Sequence, residues 1–590
     1  MIYFSRRRAE DERPRRRIGC LGGCLIFFAV YFICSAILGL IMGDMFSSSS
    51  VKLEDNTVYR LELKGTLVEQ GQEENPFAGL MGSMPYNNYY GGNKETVGLD
   101  DILSNIRLAK NDDKILGIWL DGAELSTNPA SAKEIRDALL DFKTSGKWII
   151  ASAKSYNLTN YYIATAADRI CLDPTGAVDW NGMSAQKMYF TRAMEKIGVE
   201  MQILKVGTFK SAVEPYFRTS MSDADRKQTE EYLSGIWSEY KSAVGAARHL
   251  SDKQLDALAD RYMGLQKATA QVEAGLVDTI VYEQDMDSLL RVYTGTKDYK
   301  ALKTAKLANV KRPESKAKDK VAVLYLEGQI YEDGNEGIVS EDVVKTLRKI
   351  QKDDDVKALV LRVNSPGGSA DASEQIWRAI QKIKADSVPV VVSMSDLAAS
   401  GGYYISCGAD YIFAEPTTIT GSIGIFGTVP NFNKIRNKVG IDIDGISTNR
   451  HSDLQVNSIY KGMSKEEHQL WQTMVENGYD LFTSRCAEGR HVSQDYIKKI
   501  GEGRVYLGTR GVEIGIVDEL GNLDNAIAKA VELAGLESYK LAYYPEVKDP
   551  WAELLKSFDN TTEEEKLILK VRAFCSKPRI MALMDEVVIE

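Results

Sequence analysis

Two turns in the second half of the chain have the composition of an acyl-transfer site. The first is Val363-Asn364-Ser365-Pro366-Gly367-Gly368, where a strand runs into Pro-Gly-Gly and has to turn sharply. Glycines there let main-chain N–H groups point at a ligand. The second is Leu397-Ala398-Ala399-Ser400-Gly401-Gly402-Tyr403, after the strand Val390-Val391-Val392. Ser400 stands between Ala and Gly, so nothing bulky bars the approach of a substrate backbone. A helix starting there would add positive potential at a developing oxyanion. Either turn alone reads as an ordinary Gly-rich turn. Both together, at successive strand ends of one α/β unit where such folds place sites, read as a serine nucleophile beside an oxyanion hole.

A serine hydroxyl needs a base, and the whole chain holds four histidines. His451, in Asn449-Arg450-His451-Ser452, is nearest in sequence, but Phe209 stands at its counterpart in the internal repeat described next, so it reads as an exposed loop residue. His491 recurs as His249, which suggests a structural role. A lysine can serve if burial favours its free amine. The residues alone do not choose that lysine.

These turns sit in a chain written twice. At an offset of 242, Tyr161-Tyr162-Ile163 matches Tyr403-Tyr404-Ile405, Ala167-Asp168 matches Ala409-Asp410, and Arg248-His249 matches Arg490-His491. Near the end the register slips to 240, where Val277-Asp278 matches Val517-Asp518. Upstream, Leu63-Lys64-Gly65 pairs with Leu326-Glu327-Gly328 at an offset of 263, which locates an insertion in the first half, assigned to the mobile-looking stretch 71–98. In the second half, β-branched runs (Val321–Leu326, Ala358–Val363, Val388–Met394) alternate with helical segments (Val343–Gln351, Ser373–Ile383). That alternation predicts α/β units on a largely parallel sheet. Amphipathic helices over Ala224–Ala247 and Lys465–Cys486 close the repeats.

The composition, 44% hydrophobic and 26% charged, excludes a disordered, collagen-like or polytopic membrane chain. Residues 1–17 carry seven arginines against three acids, although the whole chain has a net charge of −10, so the body is acidic and a nucleic-acid partner is not expected. Residues 18–43 contain no charge, and as a helix they would cover about 39 Å, enough for a membrane. The arginines put the N-terminus in the cytoplasm and the body outside. No Ala-x-Ala follows the apolar run, which favours an uncleaved anchor over a signal peptide. Cys171, Cys407, Cys486 and Cys575 are scattered without metal-ligand spacing and read as free thiols; no metal or other cofactor is expected.

Four ordered motifs resemble the signal peptide peptidase A family in its long, protease IV form. They are Phe209-Lys210-Ser211-Ala212-Val213-Glu214-Pro215-Tyr216, Asn364–Gly368, Ala399–Tyr403, and Thr420-Gly421-Ser422-Ile423-Gly424-Ile425. The resemblance implies a membrane-bound serine endopeptidase with a Ser–Lys dyad on a ClpP/crotonase-like α/β fold, cutting signal peptides and other hydrophobic peptides. It implies Ser400 as nucleophile, Lys210 as general base, Ser422 as a hydroxyl orienting the lysine, and the N–H groups of Gly368 and Gly401 as the oxyanion hole. It also implies a homo-oligomeric ring, such as a tetramer, at the inner membrane with the catalytic body on the periplasmic side. The repeat register agrees with the pairing: Leu158 stands at the position of Ser400, and Ser452 at that of Lys210, so each half keeps one member. An acyl-CoA enzyme on the same scaffold and a non-catalytic membrane scaffold are the rival readings.

The expected layout is therefore a basic cytoplasmic tail (1–17), a transmembrane anchor (18–43), a first repeat supplying the lysine (51–302), a linker (303–320), a second repeat supplying the serine (321–560) and a helical tail (561–590).

Overall fold

A computed structural model describes residues 51–71, 96–303, 307–308, 310, 315–334, 336–546 and 579–583. The predicted tail 1–17 and anchor 18–43 lie outside the described residues, as do most of the insertion 71–98 and of the tail 561–590. Among the described residues no helix is long and apolar enough to cross a membrane. Everything below belongs to one compact unit, Glu54–Thr304 with Arg312–Glu590; the other, Met1–Leu53 with Ala305–Lys311, holds only a few described residues.

The first half lays down strands β1 (Thr57–Val68), β2 (Thr96–Gly98), β3 (Ile115–Ser126), β4 (Trp148–Ala153), β5 (Arg169–Leu172), β6 (Glu200–Lys205), β7 (Thr279–Ile280) and β8 (Lys300–Lys303). Its main helices are α1 (Leu99–Asn111), α2 (Pro129–Lys143), α3 (Leu158–Ala164) and α4 (Asp223–Arg248). The second half supplies β9 (Lys320–Glu327), β10 (Ile330–Tyr331), β11 (Ile338–Val339), β12 (Val356–Ser365), β13 (Gly367–Ser369), β14 (Val390–Ala399), β15 (Tyr411–Ala414), β16 (Ile419–Gly421), β17 (Phe426–Asn431), β18 (Val505–Leu507), β19 (Glu519–Leu520), β20 (Lys540–Tyr544) and β21 (Arg579–Leu583). Its main helices are α5 (Ser340–Gln351), α6 (Ala370–Ala385), α7 (Gly401–Ser406), α8 (Lys465–Arg490) and α9 (Leu523–Ala534).

The two halves build the same parallel sheet, in the order β8-β1-β3-β4-β5-β7 and β20-β9-β12-β14-β15-β19. Parallel strands of this kind are covered on both faces, which is why their sequences are nearly continuous apolar runs. Leu359, Leu361, Val390 and Val392 pack with Leu347, Ile376 and Ile380 of α5 and α6. Their neighbours Val360 and Val391 face Ala526, Ile527 and Ala530 of α9. Helices α4 and α8 both end on a left-handed histidine, His249 (φ 56°) and His491 (φ 54°), so the recurrent histidine is a helix cap.

A third sheet, β11-β10-β13-β21-β17-β6, draws on both halves. Strand β6 of the first half pairs antiparallel with β17 of the second, from Lys205 opposite Phe426 to Glu200 opposite Asn431. Two expectations are corrected here. Thr96–Gly98, at the end of the predicted loop, is a strand beside β1. The described part of the tail expected to be helical, Arg579–Leu583, is a strand, because it fills the gap between the edges of β13 and β17.

Charges buried between the halves hold them in register. Arg362, on β12 and fully buried, donates through Nε to Glu69 (2.7 Å) and through Nη2 to Glu134 (2.6 Å), both from the first half. Ser393 and Ser395 accept its remaining bonds, and Asn364 donates to Glu69. Asp396, on β14, caps α2 by accepting from Ala130 N and Ser131 N at 2.9 Å and from the Ser131 hydroxyl. Burial pushes the Glu134 carboxyl up to about 8, since its Oε2 has no hydrogen-bond partner and the loss of water outweighs the attraction of Arg362. Burial likewise raises Glu327 to about 7 and Asp396 to about 6.

A carboxyl raised on folding holds its proton more tightly in the folded state. Its contribution is therefore complete below its ordinary value of 4.5 and is lost as pH rises towards about 8 for Glu134. Thermal melts from pH 5 to 8 should show Glu134→Gln gaining stability relative to the wild type as pH rises. A gap between the two that stays constant with pH would contradict the raised carboxyl.

Candidate active site

Strand β14 delivers Ser400 to the head of α7. Ser400 has φ 55° and ψ −113°, a conformation that costs a non-glycine residue about 1–3 kcal/mol. Its backbone is pinned from both sides: Ser400 N donates to Gly421 O (2.8 Å), and Tyr404 N donates to Ser400 O (2.8 Å). Helix α7 does begin at Gly401, but at six residues it is too short for much of a dipole, so any oxyanion binding there rests on individual N–H groups. The first half lacks this strain: its helix α3 starts from Asn157 at φ −71°, with Leu158 in place of the serine.

The second turn lies alongside. Gly367 takes φ 97° and its N–H donates to Ser365 Oγ (3.1 Å), whose hydroxyl donates in turn to Gly328 O (2.7 Å). A Cβ on Gly368 would lie 2.0 Å from Ile330 O, and one on Gly402 would lie 2.6 Å from Ser365 O. Both glycines are therefore required by close backbone approach: Gly402 brings the two turns together, and Gly368 lets β10 lie against the first. Ser369 then caps α6 by accepting from Ala372 N.

The lysine arrives from the other repeat. Strand β6, held against β17, leads into the loop carrying Lys210, whose side chain is 1% exposed. Lys210 Nζ donates to Ser400 Oγ (2.8 Å), Ser422 Oγ (3.1 Å) and Ser422 O (3.3 Å). It also lies 5.8 Å from the centre of the Phe426 ring. Ser422 has φ 51° and is anchored by its N–H to Arg504 O (2.7 Å).

The loop itself is clamped to residues 501–505. Phe209 N donates to Glu502 O (2.9 Å), and Gln228 Nε2 donates to Ser211 Oγ (2.9 Å) and Phe209 O (3.2 Å). Gln228 Oε1 accepts from Val505 N (3.3 Å), which ties α4 to β18. Arg504 stacks over Phe209 and pairs with Glu231 at 2.6 Å.

Of the residues singled out from sequence, Ser400, Lys210 and Ser422 thus meet directly. Gly401 follows Ser400 in the chain, and Gly368 lies opposite Ala582 of β21. His451 is not among their hydrogen-bond partners and lies 3.5 Å from Glu466. Cys171, Cys407 and Cys486 are free and buried, and Cys575 lies outside the described residues. Sequence reasoning missed Gly503, Gln228 and Arg504, which hold the lysine loop, and the charges around Arg362. The only hint for the loop contacts was the glycine pair in Gly501-Glu502-Gly503. Trp180 stands at the register position of Ser422, fully buried, with its Nε1 donating to Leu255 O (2.9 Å) and its ring 4.6 Å from that of Trp237. An indole at that position leaves the first half without the counterpart hydroxyl.

A serine hydroxyl hydrogen-bonded to a buried amine, beside glycine N–H groups, can attack a carbonyl carbon and pass its proton to the amine. Comparison with known proteins points to peptidases. The profile of peptidase family S49 matches residues 141–295 and again 382–537, once in each half, and that of Clp protease matches residues 312–419. The chain is 37% identical to Protease 4 of Salmonella typhi, over 76% of this chain and 74% of that protein. It is 36% identical to Protease 4 of Haemophilus influenzae, over 73% and 72%. It is 29% identical to the chloroplastic serine protease SPPA of Arabidopsis thaliana, over 78% and 69%.

The packing of Gly503 against the lysine generates a test. A Cβ at Gly503 would lie 2.7 Å from Lys210 Cβ and 2.8 Å from its Cα and N, at a backbone φ of 76°. Gly503→Ala should displace the amine by something like 1 Å and lower kcat by roughly 10²-fold, while the melting temperature shifts by only a few degrees. An unchanged kcat would show that the contact does not position the lysine.

Proposed function

The chain belongs to peptidase family S49 and is a serine peptidase, and we propose that it works with Ser400 as nucleophile and Lys210 as general base. The observation that carries this reading is the 2.8 Å hydrogen bond between Lys210 Nζ and Ser400 Oγ in a site where both side chains are buried. Only the free amine can accept a proton, and taking a lysine out of water favours that form.

In the proposed reaction Ser400 Oγ attacks the peptide carbonyl carbon as its proton passes to Lys210 Nζ. The negative charge forming on the carbonyl oxygen is met by the N–H groups of Gly368 and Gly401. The carbon–nitrogen bond then breaks, and the leaving amine takes the proton from Lys210. The acyl-serine is hydrolysed by a water that Lys210 deprotonates in the same way, and the proton returns to Ser400. Ser422 orients the amine: its hydroxyl and carbonyl oxygens both lie within hydrogen-bond reach of Nζ, and its own N–H is tied to Arg504 O.

The substrates we assign are signal peptides left in or near the membrane, and other hydrophobic peptides. The uncharged run 18–43 behind seven arginines supports an anchor in the inner membrane with the catalytic body on the outer side. Assembly of several copies into a ring belongs to the same reading and rests on the family resemblance.

Ser400→Ala and Lys210→Ala should each lower kcat by roughly 10⁴-fold or more with the fold intact by circular dichroism. A fluorophosphonate should label the wild type at Ser400. Substantial turnover by Lys210→Ala would overturn the dyad, and absence of labelling would overturn Ser400 as the nucleophile. Deleting residues 1–43 should move the protein from the membrane pellet to the soluble fraction; continued sedimentation with the membranes would refute the anchor.

A further inference from the structure

The glycine turn that ends β12 is tied to the first half by one side chain. Asn364 Nδ2 donates to Glu69 Oε1 (2.9 Å), while Glu69 Oε2 accepts from Arg362 Nε (2.7 Å). Glu69 directly follows β1, is buried, and its N–H donates to Glu327 Oε2 (3.0 Å). Its carboxyl is therefore a fixed point. On the β9 side the turn is held by its own backbone, because Gly328 N donates to Asn364 O (2.9 Å) and Ser365 Oγ donates to Gly328 O (2.7 Å). The β14 side offers less. There the register jumps from Val363 opposite Met394 to Ser365 opposite Ala398, so the ladder is broken where Asn364 lies. A bulge of this kind re-aims the backbone and leaves its direction to other contacts.

We infer that Asn364 is a positioning residue for the oxyanion hole: its amide, held by Glu69, sets the direction in which the turn presents the Gly368 N–H. The inference rests on the reading of Ser400 as nucleophile with Gly368 as an oxyanion donor. The repeat supplies the control. Asn364 is opposite Glu327, and opposite Lys64, the counterpart of Glu327, the first half has the exposed Glu124, which as a carboxylate has no proton to donate. Arg362 is opposite Tyr325, whereas opposite Glu62 stands Asp121, bonded to Arg60 of its own half. Strand β3 also runs straight on, Leu125 and Ser126 still pairing with Gly65 and Thr66, while the β12–β9 ladder stops at Asn364. The amide tether thus occurs only in the half that turns towards a serine. Features that serve the fold, such as the histidine caps, occur in both. Glu69 belongs to the first half, so that half anchors the oxyanion turn as well as supplying the lysine. Charge on the carbonyl oxygen develops only in the transition state, so a misdirected N–H costs kcat and leaves KM nearly unchanged.

The test uses the full chain and a fluorogenic peptide. Asn364→Leu removes the donor at similar volume, and Asn364→Asp sets a second carboxylate against Glu69. Each should lower kcat by roughly 10²-fold with KM within about two-fold. The double variant Glu69→Gln/Asn364→Asp exchanges donor and acceptor while keeping the total charge. It should recover kcat to within about five-fold of the wild type, although Glu69→Gln alone is impaired.

If Asn364→Asp fails to fold by circular dichroism, Asn364→Leu carries the test of kcat against KM. Unchanged kcat in the folded single variants, or a rise in KM alone, overturns the inference while leaving the catalytic pair intact. A double variant no better than the worse single one also overturns it. Failure of a fluorophosphonate to label Ser400 in the wild type would remove the inference together with the catalytic reading.

Discussion

A hydrogen bond of 2.8 Å between a lysine of one repeat and a serine of the other governs how this protein is built. Neither repeat holds both groups, so the pair exists only when the halves are packed in one register. Most of the contacts described above serve that requirement. Strand β6 is lent to the sheet of the other half so that the loop after it ends at Ser400. Gly424 and Gly503 have no side chains where the lysine lies, and Gln228 ties the lysine loop to β18.

The same requirement accounts for the charges buried between the two halves. Arg362 lies on the strand that ends in the glycine turn, and Asp396 on the strand that ends in Ser400. Each is bonded to the first half, through Glu69 and Glu134 or through the N-terminus of α2. Apolar packing tolerates sliding, whereas a buried guanidinium between two carboxylates has one low-energy placement, and misplacing it leaves unpaired charge in a dry interior. The cluster therefore acts on geometry more than on net stability, and the raised carboxyl of Glu134 is the cost of that arrangement.

Duplication also explains what the first repeat has become. With Leu158 where the serine would be and Trp180 where Ser422 would be, its strand ends are packed with apolar side chains instead of reactive ones. Tyr161, Trp180 and Trp237 form an aromatic cluster in that half. Helix caps such as His249 and His491 persist in both halves because they belong to the fold and not to the chemistry.

Much of this was legible in the residues. The duplication, the strand–helix alternation and the two glycine turns follow from local rules, since period and turn chemistry are properties of short stretches. The choice of Lys210 came from motif resemblance, because spacing along the chain carries no information about which of many lysines crosses to a serine 190 positions away. The tail shows the opposite case: the helical pattern lies on residues 563–574, outside the described residues, and gives no sign that Arg579–Leu583 further on is a strand between β13 and β17. Arg362 gave no signal either, since a charged residue inside a strand is read as solvent-facing until its partners are known. The sequence alone determined the elements and the reactive residue types, which are set by neighbours within a few positions. Only the tertiary structure decided which side chains meet and which edges are filled, because those depend on contacts between segments hundreds of residues apart.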